Sequence, residues 1–219
     1  MRHDKAIAGA LVAVALGLAA GCTDEPESTP APPAAASSPA GPALTFEEAH
    51  RKLPMDGTKE LPITWDLAGA PDTEEVLAAR RSLVFNYWEF GSADWTAIVP
   101  LGRYIYTERY YQEFLAPYAT TTSNIPSIGP IWTRVMGVER NGPDRATVTF
   151  CTDLGYWHEA NRTNPAVRPD RGTLESHVVE RVQIGDGERR WLVDQLIDKD
   201  GDRAAQYGAE CTKWAQHRP

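Results

Sequence analysis

Apolar residues change their spacing along this chain, and each spacing predicts a different kind of segment. Residues 6–20 are an uninterrupted uncharged run dominated by Ala, Leu, Val and Gly. From Asp72 apolar residues recur every three or four positions: Val76, Leu77, Leu83, Val84, Tyr87 and Trp88. That spacing predicts one amphipathic helix with a wide apolar face, started by Asp72 or Thr73 with Glu74 and Glu75 in its first turn, and stopped at Gly91. Asp94 is a candidate N-cap for a shorter helical stretch towards Leu101, and a third runs over residues 107–118. After Gly129 the pattern becomes rich in β-branched and aromatic residues. Strands are expected in "IWTRVMGVER", "RATVTFCTDLGYW", "TLESHVVERVQI" and "RWLVDQLIDK", with "NGPD" and "GDGE" as turns. Helices followed by a run of antiparallel strands predict an α+β domain.

The flanking segments have no such periodicity. Residues 23–43 hold six Pro, six Ala and three Ser in 21 positions, too few apolar side chains to build a core, so a disordered tether is expected. Extended as polyproline, it would reach about 65 Å. Residues 44–71 are expected to be irregular, punctuated by Pro54, Pro62 and Pro71, with Trp65 packed on the domain. The organisation expected is a signal peptide over 1–21, Cys22 and the tether over 22–43, and a single domain over 44–219.

Charge narrows the functions. The chain carries a net −8, with 22 Lys and Arg against 30 Asp and Glu, so nucleic acid is not expected as a partner. No G-x-S-x-G, Ser-x-x-Lys or phosphate-cradling glycine loop is present, and no catalytic residue is assigned. His50, His158, His177 and His217 are scattered, without a Cys-x-x-Cys, so neither a metal nor a cofactor is expected. "DKDGD" alternates carboxylates, but from Asp198 the fourth position is Gly201 and the twelfth is Ala209, which does not fit a calcium loop.

Arg2 and Lys5 precede the apolar run, and "LAAGC" closes it: an aliphatic residue, small residues, then Cys22. This start resembles the signal of bacterial lipoproteins. The resemblance implies a diacylglycerol on the Cys22 thiol, cleavage before that residue, and a lipid-anchored location on the extracytoplasmic face of the cell membrane. Cys151 and Cys211 then remain as an even pair in an oxidising compartment, and a disulfide between them is expected to pin the C-terminal segment and Trp214 across the sheet.

From "EEVLAARRSLVFNYWEFGSADW" to "WLVDQL" the chain resembles the nuclear transport factor 2-like superfamily. That implies N-terminal helices packed in a curved, cone-like antiparallel sheet, sometimes with an internal pocket. The pocket candidates are Tyr87, Trp132, Trp157, His177, Trp191 and Asp194. Strand alternation places Trp191, Val193 and Ile197 on one face and Leu192, Asp194 and Leu196 on the other. A carboxylate at Asp194 among leucines would have a raised pKa and could serve as a base. The stronger expectation is that the aromatics fill the cone and Asp194 bonds backbone or an arginine. The function expected first is a non-catalytic binding or scaffold module for a partner protein, a wall component or a small apolar ligand. The alternatives are a pocket enzyme of the isomerase or cyclase type, and an envelope component of a secretion or conjugation assembly.

The anchor is directly testable. Mass spectrometry of the membrane fraction should find Cys22 as a lipid-modified N-terminus, and Cys22→Ser should release the protein; an unmodified thiol there would dismiss the anchor.

Overall fold

The computed structural model describes residues 44–67, 69–163, 165–198 and 201–219. Cys22, the signal segment and the tether lie outside the described residues.

The domain is α+β: a five-stranded sheet in the order β1 (Ile63–Asp66), β3 (Ile131–Arg140), β4 (Arg145–Asp153), β6 (Gly172–Gln183), β7 (Arg189–Ile197), a separate pair of β2 (Ser127–Ile128) and β5 (His158–Glu159), and helices. The segment expected to be irregular contains two elements. Helix α1 (Phe46–Arg51) is closed by a capping box, in which the Thr45 hydroxyl accepts from the Glu48 N–H and the Glu48 carboxylate accepts from the Thr45 N–H at 2.8 Å. Strand β1 (Ile63–Asp66) pairs in parallel with β3 (Ile131–Arg140), so the sheet is not wholly antiparallel. Trp65 on β1 packs edge-on against Phe150 and donates its Nε1–H to the Met55 carbonyl.

Helix α2 (Glu74–Phe90) lies where its spacing predicts and ends at Gly91, with Val76, Leu83, Val84 and Tyr87 buried. It buries Glu75, Ser82 and Glu89 as well. The stretch after Asp94 begins differently from expectation. Asp94 accepts from the backbone and hydroxyl of Thr96 in a local turn, and a 3-10 helix forms only over Val99–Tyr104. The third helical stretch starts as α3 (Glu108–Tyr110) and continues through a π-helical turn (Tyr111–Leu115) and a 3-10 turn (Ala116–Tyr118). The short β2 (Ser127–Ile128) and β5 (His158–Glu159) pair with each other. Gly129, between β2 and β3, has φ +103°, and a Cβ there would lie 2.1 Å from the Tyr156 carbonyl oxygen. Only glycine fits that approach.

Strands β3, β4 (Arg145–Asp153), β6 (Gly172–Gln183) and β7 (Arg189–Ile197) form consecutive antiparallel pairs. Strand β4 is buried at every position from Ala146 to Asp153. Ala146, Val148 and Phe150 join the main core with α2. Thr147, Thr149, Cys151 and Asp153 point to the opposite face by alternation. That face is covered by α4 (Gly201–Trp214), a helix in the tail for which no element was expected. Cys151 on β4 is disulfide-bonded to Cys211 on α4, and the indole N–H of Trp214 reaches Asp66 on β1.

Beyond α4, fully buried Asp153 holds the chain end by accepting from Arg171 at 2.9 Å and from the His217 backbone N–H at 2.9 Å. Burial works against its charge. The Arg171 guanidinium and the N–H groups of Gly155 and His217 outweigh that and keep the carboxyl below the usual range. No helix among the described residues is long and apolar enough to cross a membrane.

Reducing the disulfide should be costly, because it closes a separation of 60 residues. The chain-entropy model gives roughly 4 kcal/mol as an upper figure. At about 2–4 °C per kcal/mol, the melting temperature should fall by several degrees in reductant or in the Cys151→Ala, Cys211→Ala double variant. An unchanged melting curve would show that packing alone holds α4.

Candidate functional site

The C-terminal half of α2 and the facing ends of β6 and β7 do not close on each other, and between them lies a cleft of about 380 Å³. Helix α2 contributes Asn86, Tyr87 and Phe90, and the turn after β4 contributes Leu154 and Trp157. Glu175 and His177 come from β6, and Leu196, Ile197 and Asp198 from the end of β7. Glu175 and His177 are two residues apart on one strand, so both face α2.

The phenol of Tyr87 donates to Glu175 Oε1 at 2.7 Å. Burial pushes the Glu175 carboxyl above its usual range; hydrogen bonds from Thr152 and Tyr87 pull it back, and the negative charge of Asp198 raises it further. Tyr87 is raised first by burial and then by Glu175, so its phenol stays protonated and serves as a donor.

His177 is 1% exposed, and burial lowers its pKa to about 3, leaving a neutral ring. Its Nδ1 lies 3.0 Å from Ser82 Oγ, and that hydroxyl donates to the Tyr106 oxygen at 3.1 Å. Phe150 meets the imidazole edge-on at 5.2 Å. His177 is therefore a wall of the cleft tied into the core.

Trp157 packs edge-on against Phe90, with the Arg168 guanidinium 5.5 Å from its ring centre. Its Nε1–H is buried without a hydrogen-bond partner among the described residues. An unsatisfied buried donor is costly, about 1–3 kcal/mol. Chemically the cleft offers apolar side chains from Phe90, Leu154, Trp157, Leu196 and Ile197, the donor–acceptor pair of Tyr87 and Glu175, and the further polar side chains of Asn86, Thr173, Ser176 and Asp198.

The structure thus brings Tyr87, Trp157 and His177 together and separates the other three candidates. Trp132 is across the sheet, stacked on His217 at 5.1 Å. Trp191 is at the opposite end of β7, beside the hairpin. Asp194 is not buried among leucines. A β-bulge opposite Val178 and Val179 makes Asp194 the extra residue of β7 and shifts the alternation beyond it. Val193 and Leu196 consequently both pack on the main core. At the bulge, Asp194 accepts from Thr107 Oγ1 at 2.8 Å and pairs with Arg109 at 2.9 Å. Burial would raise its pKa, but the Arg109 and Thr107 hydrogen bonds and the charges of Arg109 and Arg145 outweigh it, and the carboxyl is lowered. Asp194 forms a structural ion pair with Arg109 and is not a base.

Glu175 was missed from the sequence, although its two-residue spacing from His177 was a usable signal. Among the described residues no group of three His, Cys, Asp or Glu side chains could hold a metal ion. Compared with protein-family models, with curated proteins and with solved structures, the chain matches none.

Two buried groups near the cleft give opposite pH dependences. His177 takes up a proton near 6.5 when unfolded but only near 3 when folded, so its contribution to stability is lost as pH falls below 6.5. Glu89, 6% exposed, is raised by burial from 4.5 to about 7, so its contribution is present below 4.5 and lost as pH rises through 7. Each slope is at most about 1.4 kcal/mol per pH unit, and the two oppose each other between pH 4.5 and 6.5. Glu89→Gln should remove one of them. Its stability relative to the parent, from urea unfolding at pH 4.5 to 7.5, should rise with pH by about 3 kcal/mol. A difference independent of pH would contradict the assignment.

Proposed function

We propose that this chain is an extracytoplasmic lipoprotein, anchored through Cys22 and spaced from the membrane by residues 23–43, whose folded domain binds a small, largely apolar ligand without transforming it. The observation that carries the reading is the cleft between α2 and the β6–β7 ends. Its apolar wall of Phe90, Leu154, Trp157, Leu196 and Ile197 faces polar groups on α2, β6 and the end of β7, the mixed lining of a small-molecule site. Its size suits one ring system or a short acyl chain. A polar group of the ligand would meet Tyr87 or Glu175. The Cys151–Cys211 bridge supports an oxidising compartment, consistent with export. The 17-residue α2 packed on consecutive antiparallel strands supports a cone of the nuclear transport factor 2-like kind.

The pocket candidates Asp194 and His177 are ill suited to chemistry. Asp194 is neutralised by Arg109 outside the cleft, and His177 is held neutral by burial. A second reading, a pocket enzyme of the isomerase or cyclase type, draws on one observation: a carboxyl with a raised pKa, bonded to a phenol, inside the cleft. Glu175 would then be the base.

The neutral fluorophore N-phenyl-1-naphthylamine tests the binding reading. Titration should give saturable enhancement, and Trp157→Ala should weaken it at least tenfold. Absence of saturable binding, or a Trp157→Ala variant that binds as the parent does, would sink it. Turnover of an activated carbonyl compound that disappears in Glu175→Gln would establish the second reading instead.

A further inference from the structure

At the opposite end of α2 from the cleft, the helix, His50 of α1 and the β6–β7 hairpin enclose a recess of about 290 Å³. Four guanidiniums line it, from Arg81, Arg181, Arg189 and Arg190, against the two carboxylates of Glu74 and Glu188. The topology produces the convergence. Arg181 is the Cα partner of Trp191 across the β6–β7 ladder, and Gln183 is the partner of Arg189. Arg81 and Glu74 are seven residues apart on α2, two turns along the same helix face.

The carboxylates present are already taken or insufficient. Arg190 pairs with Glu188 at 2.6 Å and lies over the Phe46 ring, while its Nε–H is buried without a partner among the described residues. Arg189 pairs with Asp144 at 2.8 Å, outside the recess, and donates to the Arg181 carbonyl. Arg81 and Arg181 form no ion pair among the described residues. Arg81 is half-buried; burial depresses its pKa, Glu74 partly offsets this, and Arg190 and Arg80 depress it further. His50 is depressed by burial and by Arg81 and Arg190, and its Nε2–H is spent on the Tyr104 carbonyl, so the ring stays neutral beside the guanidiniums.

Like charges gathered in a partly desolvated recess repel, and a chain of net −8 has no compositional reason to gather them. An anion accepting several N–H bonds would supply the missing countercharge. We propose that this recess is a second binding site, separate from the apolar cleft, for a small phosphate- or carboxylate-bearing anion held by Arg81 and Arg181 with Arg190 beside them. The recess takes inorganic phosphate or the head of a phosphate ester, and is too small for a dinucleotide.

Isothermal titration of the full chain with inorganic phosphate, against chloride at matched ionic strength, tests the site. Vesicles of phosphatidylglycerol, against phosphatidylcholine, form a second arm that distinguishes a lipid headgroup from a free anion. Saturable binding is expected in at least one arm, weakened tenfold or more by Arg81→Gln and by the exposed, fold-neutral Arg181→Gln. Without ligand, Arg81→Gln should keep or raise the melting temperature, because it removes repulsion; a structural arginine would lower it. Binding in neither arm, binding indifferent to both substitutions, or an Arg81→Gln variant that melts earlier without ligand would each overturn the proposal.

Discussion

Strand β4 is buried on both faces, and the rest of the domain is arranged to meet that demand. An antiparallel strand with one wet face would alternate apolar and polar residues. Here the second face carries Thr147, Thr149, Cys151 and Asp153, all buried. Helix α2 covers the first face with an apolar stripe, and α4 covers the second, where the polar groups pair with one another. Thr149 bonds Ser176 at 3.0 Å, and Asp153 is satisfied by Arg171 and His217. The disulfide joins the strand that needs the cover to the helix that supplies it. The C-terminal tail is therefore a structural layer of the domain.

Two β-bulges tune this sheet. One separates Val135 from Gly137 on β3, the other sets Asp194 out of line on β7. Each shifts the pleat by one residue and keeps a pair three apart on the core side: Val135 with Val138, and Val193 with Leu196. At Asp194 the bulge also turns a carboxylate to the sheet edge, where Thr107 and Arg109 fasten α3 to β7. The same irregularity that disqualifies Asp194 as a base makes it an anchor for the neighbouring helix.

The two recesses follow from the length of α2. Seventeen helical residues span about 25 Å, enough for one helix to wall both recesses. Side chains near its C-terminus meet the apolar cleft, and those in its first half meet the arginine recess. Between them Ser82, Leu83 and Phe85 are fully buried. An apolar site and a charged one thus lie on one rigid element, separated by core.

The sequence by itself determined the elements whose signals are local. The three- and four-residue spacing of α2, its stop at Gly91, the β-branched strands and the turns between them all depend on neighbouring residues, and the structure has them in place. The cysteine pairing was legible too, because two cysteines remain once Cys22 is set aside. What only the tertiary structure decided depends on residues far apart in the chain. β1 is a strand because β3 lies beside it, and α4 is a layer because Cys151 and Asp153 need covering. Trp132, Trp157 and Trp191 look alike in sequence, but only Trp157 reaches the cleft, because strand register sends the others to the far face and the far end. Alternation assumed an unbroken pleat and so misplaced Asp194, since a bulge is set by the partner strand. Glu175 owes its raised pKa to burial in the fold and then to Asp198, 23 positions away, while the phenol that pulls it back, Tyr87, lies 88 positions away, and no local pattern encodes that meeting.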